Sequence, residues 1–154
     1  MIIPLLLFLT LLAYSMVVSQ SFMYLLSLRH ASLGLDANGY LALRKLVDGA
    51  MRANFKYVVY GSLLSSLALT VTTAGDPGSL LFLTSAIAFA ALIIDLVITM
   101  KGNMPINDAI NTWKTDAYPA DWADYRAKWL TYYGYRQVVN ITGFLCLLIG
   151  TVFK

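Results

Sequence analysis

Long runs of apolar residues with almost no charge alternate with basic, more polar segments along this 154-residue chain. The apolar runs cover residues 2–28, 57–75, 77–100 (broken only by Asp95) and 137–153. Crossing the hydrocarbon core as a helix takes about 20 apolar residues, with a range of roughly 17 to 25. All four runs meet that length, the last at the short end. The pattern predicts an all-α, four-helix transmembrane bundle in a single domain, with spans at about 2–28, 57–75, 78–100 and 133–153.

The segments between the runs carry their own periodicity. In residues 36–55, Tyr40, Leu43, Val47 and Met51 form an apolar line, with Arg44, Lys45, Asp48 and Arg52 opposite. This predicts an amphipathic helix, N-capped by Asp36 or Asn38, that runs directly into the second span. Gly75-Asp76-Pro77-Gly78 reads as a tight turn, making spans two and three an antiparallel hairpin. The third span is expected to end near Lys101-Gly102, with Pro105 stopping further helix. Residues 107–118 read as a short helix and loop. Pro119 is placed at the start of a last helix running to Phe153, with Asp121 in its first turn and a bend expected at Gly134. At 1.5 Å per residue that helix is on the order of 50 Å long, so its first half extends beyond the bilayer. The first span changes character partway: Tyr14, Ser15, Ser19, Gln20, Ser21, Tyr24 and Ser27 need polar partners in lipid and should face the bundle interior.

Composition agrees with the pattern. The chain is 59% hydrophobic and 12% charged, about half the charge of a soluble domain. Ten of the eleven Lys/Arg residues lie in residues 29–56 and 101–136, and the 2–3 turn has none. The positive-inside rule then places loops 29–56 and 101–132 in the cytoplasm and both termini outside, as for a bacterial inner membrane protein. The first run reads as a true span, not a secretory signal, because it lacks a basic leading region and exceeds the usual length of about 7–15 residues. The net charge of +3 sits at span ends, so it argues for a bilayer and against nucleic acid. Cys146 is the only cysteine and reads as apolar filler. One histidine and no glutamate exclude a di-iron bundle site, bis-histidine haem and a three-histidine zinc site. No phosphate-binding glycine loop or nucleophilic triad is present. The expected chemistry uses no metal and no cofactor.

Two features carry candidate chemistry. Trp122, Arg126, Trp129, Tyr133, Arg136 and Asn140 follow at intervals of 4, 3, 4, 3 and 4, which puts them on one helix face. Such a stripe suits stacking on a flat aromatic or binding an anion; it also suits an interfacial belt with snorkelling arginines. Asp95 lies inside the third span, where an ionisable group costs about 2.5–3.5 kcal/mol or more and marks a functional candidate. Its expected partner is Arg136 or Arg52, either as a catalytic site or as an ion pair locking two spans together. Gln20 is placed as a ligand-facing residue of the first span. His30 reads as solvated surface.

Asn103-Met104-Pro105-Ile106-Asn107, followed by Trp122, Arg126, Trp129 and Arg136, resembles the N-x-P-I-N and W-x-x-x-R-x-x-W-x(6)-R signature of the DUF1772 family, the anthrone oxygenase-like group of small four-helix membrane proteins. The resemblance covers residues 95–140. At Tyr133 relatives often carry Asn or His. It implies a four-helix membrane fold and, for some fungal members, oxidation of polyketide anthrones by O₂ without a bound cofactor. On that footing Asp95 is the candidate base. Gln20, Asn103, Asn107, Trp122, Arg126, Trp129, Tyr133 and Arg136 are candidate ligand contacts, with Trp122 and Trp129 stacking on the rings and Arg126 or Arg136 stabilising an anion.

Three readings follow. The first is a site for a lipophilic small molecule at the cytoplasmic mouth of the bundle. The second is a non-catalytic subunit of a larger membrane complex whose stripe docks a membrane protein partner or lipid headgroups. The third is a transporter, disfavoured because no inverted repeat or paired broken span is evident.

Overall fold

Each apolar run forms one helix, and each helix is longer than the run that defines it. A computed structural model describes residues 2–153. It contains α1 (Ile2–Gly34), α2 (Ala37–Thr73), α3 (Leu80–Thr112) and α4 (Trp122–Val152), of 33, 37, 33 and 31 residues, all long and apolar enough to cross a membrane. Helices of this length rise about 45–55 Å, against a hydrocarbon core of about 30 Å. The surplus lies at one end, where α1 and α3 finish and α2 and α4 begin. That end carries the basic residues and projects beyond the spans.

Helix α2 pairs with α1 and α3, and α4 pairs with α3 and α1, so the four helices close in chain order around a common core. The large apolar side chains that remain exposed, among them Phe8, Leu64 and Val138, form the surface expected of helices surrounded by lipid. The buried interior has two layers. Leu7, Tyr14, Val17, Leu69, Ala88, Leu92 and Leu147 fill the half distal to the basic end. Tyr24, Tyr40, Leu41, Ile106, Ile110, Trp129 and Tyr133 fill the basic half.

The local signals behave as their chemistry requires. Asp36 is the N-cap of α2, its carboxylate accepting the Gly39 N–H at 2.9 Å, and α2 then runs unbroken into its span. Ser79 caps α3 by accepting the Phe82 N–H at 3.2 Å. In the loop before α4, Asp116 adopts φ 63°, and Asn38 on α2 holds it through Asn38 Nδ2 donating to Asp116 Oδ1 (2.9 Å) and Asp116 N–H donating to Asn38 Oδ1 (3.4 Å).

Three expectations are corrected. Ser19 and Ser27 are exposed rather than turned to the bundle interior, and the Ser19 hydroxyl is satisfied within its own helix by donating to the Met16 carbonyl at 2.8 Å. Pro105 does not end α3, which continues to Thr112. A five-residue π turn, Thr99–Asn103, resets the backbone ladder just before it. Pro105 thus sits in the first turn of a fresh α segment, where its missing N–H and fixed φ are tolerated. Arg44 and Asp48 were assigned to the polar side of the amphipathic helix, yet both are buried. The face they occupy turns inward because α3 offers it amides instead of apolar groups.

Similar π turns occur at Tyr24–Leu28 in α1 and Met51–Phe55 in α2. Helix α4 has none and remains α-helical across Gly134.

Candidate functional site

A cavity of about 600 Å³ opens where the two core layers meet, flanked by all three π turns. Its wall is mostly apolar, with Leu28, Leu43, Val47, Phe55, Val59, Leu96 and Met104 among its lining side chains. Exposed Ser19 and Met23 on α1 and exposed Lys56 and Tyr60 on α2 complete the wall, so the cavity reaches the surface between these two helices.

The aromatic–cationic wall comes from α4 and α2 together. Trp129 and Tyr133 stack with ring centroids 4.6 Å apart and planes 17° apart. The Arg44 guanidinium lies 3.9 Å over the Trp129 ring, and that of Arg136 lies 5.1 Å over Tyr133. Tyr24 meets Tyr133 edge-on at 4.7 Å. These layers make a ladder of cation, indole, phenol and cation. The flat faces of Trp129 and Tyr133 are taken inside the protein, so a ligand meets ring edges rather than the free indole face expected for stacking.

The N-x-P-I-N segment holds the ladder in place. Asn103 Nδ2 donates to the Trp129 carbonyl at 3.0 Å. One helical step on, Asn107 Oδ1 accepts both Trp129 Nε1–H (2.8 Å) and Arg44 Nη2–H (2.9 Å), while Asn107 Nδ2 donates to Asp48 Oδ1 at 2.8 Å. Asp48 Oδ2 accepts from Asn111 Nδ2 (2.8 Å) and Arg52 Nε (2.8 Å), and Arg52 reaches Asp108 at 2.6 Å. Asn107 is therefore the hub joining α2, α3 and α4.

Asp95 is buried and pairs with Arg136: Nε donates to Oδ1 at 2.7 Å, and Nη2 lies 3.5 Å from Oδ2. The pair lines the cavity, and Oδ2 keeps most of its accepting capacity. Gln20 lies on the opposite wall, its Oε1 3.5 Å from the Tyr133 hydroxyl.

Of the sequence candidates, Gln20, Asp95, Asn103, Asn107, Trp129, Tyr133 and Arg136 all line this one cavity. Trp122 and Arg126 do not. Arg126 Nη1 donates to the carbonyls of Ser32, Leu33 and Leu35 at 3.2, 3.4 and 2.9 Å, closing the C-terminal end of α1. Trp122 packs against the same guanidinium, 4.6 Å from its ring, and against Tyr118. Asn140, the last member of the stripe, is buried deeper in the span, with its Oδ1 unpartnered among the described residues.

Arg44 and Asp48 were not singled out as site residues, and Arg52 was expected only as a partner of Asp95, a place that Arg136 takes; all three line the cavity. With Lys56 they recur every four residues, and that spacing was the available signal. Burial pulls the Arg44 pKa below its usual value, with Tyr40 and Asp48 opposing the shift. Tyr40, buried beside it at the base of α2, has its phenol pushed up to about 12 by burial, against the pull of Arg44 and Arg126. Among the described residues no three His, Cys or acidic side chains come together, and the wall offers no ready cluster of metal donors.

A family model described as anthrone oxygenase matches residues 44–146, two thirds of the chain. None of the curated proteins or solved structures compared with the chain matches it.

Proposed function

The chain belongs to the anthrone oxygenase family, and on that premise we propose that its cavity takes up a lipophilic aromatic small molecule and oxidises it with O₂. The observation that carries this reading is the Asp95–Arg136 pair standing in the wall of a largely apolar cavity. Buried ionisable groups in a membrane bundle tend to mark function, and pockets of roughly 300–1,000 Å³ suit small organic ligands. The clustering of basic residues at the end beside the cavity supports a cytoplasmic position for it under the positive-inside rule. The gap between α1 and α2 gives a lipophilic ligand a route from the bilayer.

An anthrone has a methylene group flanked by two rings and acidified by the conjugated carbonyl. Asp95 Oδ2, only loosely held by Arg136, accepts one methylene proton. The electron pair left by the broken C–H bond delocalises onto the carbonyl oxygen, which Arg136 and Arg44 are placed to stabilise. The carbanion forms a C–O bond with O₂, giving a hydroperoxide once a proton is returned. Loss of the second C–H proton with cleavage of the O–O bond releases water and leaves a second carbonyl. The balance is one anthrone and one O₂ in, one anthraquinone and one water out; substrate carbon is oxidised and O₂ reduced.

A docking role for the stripe would need its tryptophans on the outside, and Trp129 is buried and Trp122 half-buried; that favours the small-molecule reading. The test is anthrone turnover by purified protein in detergent, followed by quinone absorbance and O₂ uptake. The expected result is a rate above the buffer blank that collapses to it in Asp95→Asn. A rate equal to the blank, or one indifferent to Asp95→Asn, rejects the proposal.

A further inference from the structure

The cavity wall carries more positive charge than its own carboxylates balance. Four basic side chains line it, Arg44, Arg52, Lys56 and Arg136, against two acidic ones, Asp48 and Asp95. Arg136 is committed to Asp95, and Arg52 to Asp48 and Asp108. Lys56 is exposed at the opening, with its ammonium 5.1 Å from the Tyr57 ring. That leaves Arg44, which is 8% exposed and forms no salt bridge among the described residues. Its one hydrogen bond there runs from Nη2 to the neutral amide of Asn107, and its Nε is buried without a partner.

A buried guanidinium that no carboxylate bonds is costly, because desolvation penalises the charge and Asp48, whose oxygens are bonded elsewhere, acts on it only through space. The stack on Trp129 offsets part of that cost, and Asp48, one turn away, is saturated by Asn107, Asn111 and Arg52. The remaining compensation has to come from whatever fills the cavity. The surrounding surface is apolar, so the occupant joins an anionic group to a hydrophobic body.

We infer that the cavity is a binding site for a lipophilic aromatic anion, a carboxylate or phenolate, whose charged oxygen is held by Arg44 in the ground state. This deepens the proposed function and rests on the reading that the cavity takes flat aromatics. It is separate from the proton transfer assigned to Asp95, because it concerns binding before any reaction and needs no O₂.

The test compares anthracene-2-carboxylate with its neutral isostere, anthracene-2-carboxamide, binding to the full chain in nanodiscs, with empty nanodiscs as the partition control. Energy transfer from tryptophan to anthracene reads occupancy, and thermal stabilisation reads it independently. A charge-assisted hydrogen bond in a buried site predicts roughly ten- to hundredfold tighter binding of the carboxylate. Arg44→Met should abolish that preference while keeping carboxamide affinity; Arg44→Lys and Lys56→Gln should retain it. Equal affinities in the wild-type protein overturn the anion site and leave the aromatic cavity standing, whether or not the Arg44 variants fold. A preference that survives Arg44→Met, or disappears in Lys56→Gln, overturns the assignment to Arg44. Failure of both probes to bind rejects the cavity reading and the anion site with it.

Discussion

Replacing Asn107 by alanine tests whether one amide organises the site. The substitution removes three contacts together: the acceptor for Arg44 Nη2–H at 2.9 Å, the acceptor for Trp129 Nε1–H at 2.8 Å and the donor to Asp48 Oδ1 at 2.8 Å. Hydrogen bonds to charged groups contribute about 1.5–3 kcal/mol each and neutral ones about 0.5–1.5. Two of the three partners are charged, so the gross loss is about 4–7 kcal/mol. Asn107 is half-buried and borders the cavity, so water entering the vacated space recovers part of it. A net destabilisation of about 3 kcal/mol is expected. For a chain of this size each kcal/mol moves the melting temperature by about 2–4 °C, giving a fall of about 6–12 °C. Thermal unfolding in detergent would be followed by far-UV circular dichroism. The near-UV bands would report the Trp129–Tyr133 stack, which should weaken below the melting transition because Trp129 loses its tether. A variant melting within about 1 °C of wild type, with an unchanged near-UV spectrum, would show that the hub does not hold the ladder.

Two further outcomes follow from the same coordinates. Tyr40 has its pKa raised from 10.0 to about 12 in the folded chain, so the folded state favours the neutral phenol; its contribution is complete below pH 10 and lost as pH rises toward 12. At about 1.4 kcal/mol per pKa unit that amounts to roughly 2–3 kcal/mol, so Tyr40→Phe should melt like wild type at pH 9 and clearly above it at pH 11.5; parallel decline of both proteins would refute the assignment. Topology is open to labelling in a Cys146→Ala background: a cysteine at Asp76 should react with a membrane-impermeant maleimide in intact cells, and one at Lys114 only after permeabilisation, the reverse pattern overturning the proposed orientation.

The spans were legible because lipid makes a demand that is written residue by residue: about 20 consecutive apolar positions. Each such run became a helix, and the breaker chemistry at Gly75–Gly78 and the Asp36 cap marked helix boundaries. The α4 stripe was legible for a similar reason, since steps of 3 and 4 define one face of an α-helix without knowledge of its neighbours. Depth along that face was not legible. Trp122 and Arg126 share the stripe but lie where α1 ends, and Arg126 is occupied by carbonyls that only the tertiary arrangement brings to it. The inward turn of Arg44 and Asp48 was hidden for a related reason. An amphipathic helix assigns charge to the outside unless a polar partner face exists, and that face, Asn107 and Asn111, belongs to another helix.

The π turns explain how residues spread along three helices reach one cavity. Three sets of cavity residues recur every four positions: Gln20, Tyr24, Leu28 and Ser32; Arg44, Asp48, Arg52 and Lys56; and Asp95, Thr99, Asn103 and Asn107. Four residues advance an α-helix by about 400°, so each step drifts about 40°, and three steps drift about 120°. In an unbroken α-helix the last member of each set would therefore turn away from the first. Each set contains one π turn, whose extra residue absorbs about 100° of that drift and returns the later members to the cavity. In α3 this is what lets Asp95, inside the span, and Asn107, beyond it, serve the same site. Helix α4 meets the cavity at Trp129, Tyr133 and Arg136, steps of 4 and 3 that stay in phase unaided, and it has no π turn. In these three helices a residue at every fourth position stays on the cavity wall because one bulge offsets the drift of the α-helical repeat.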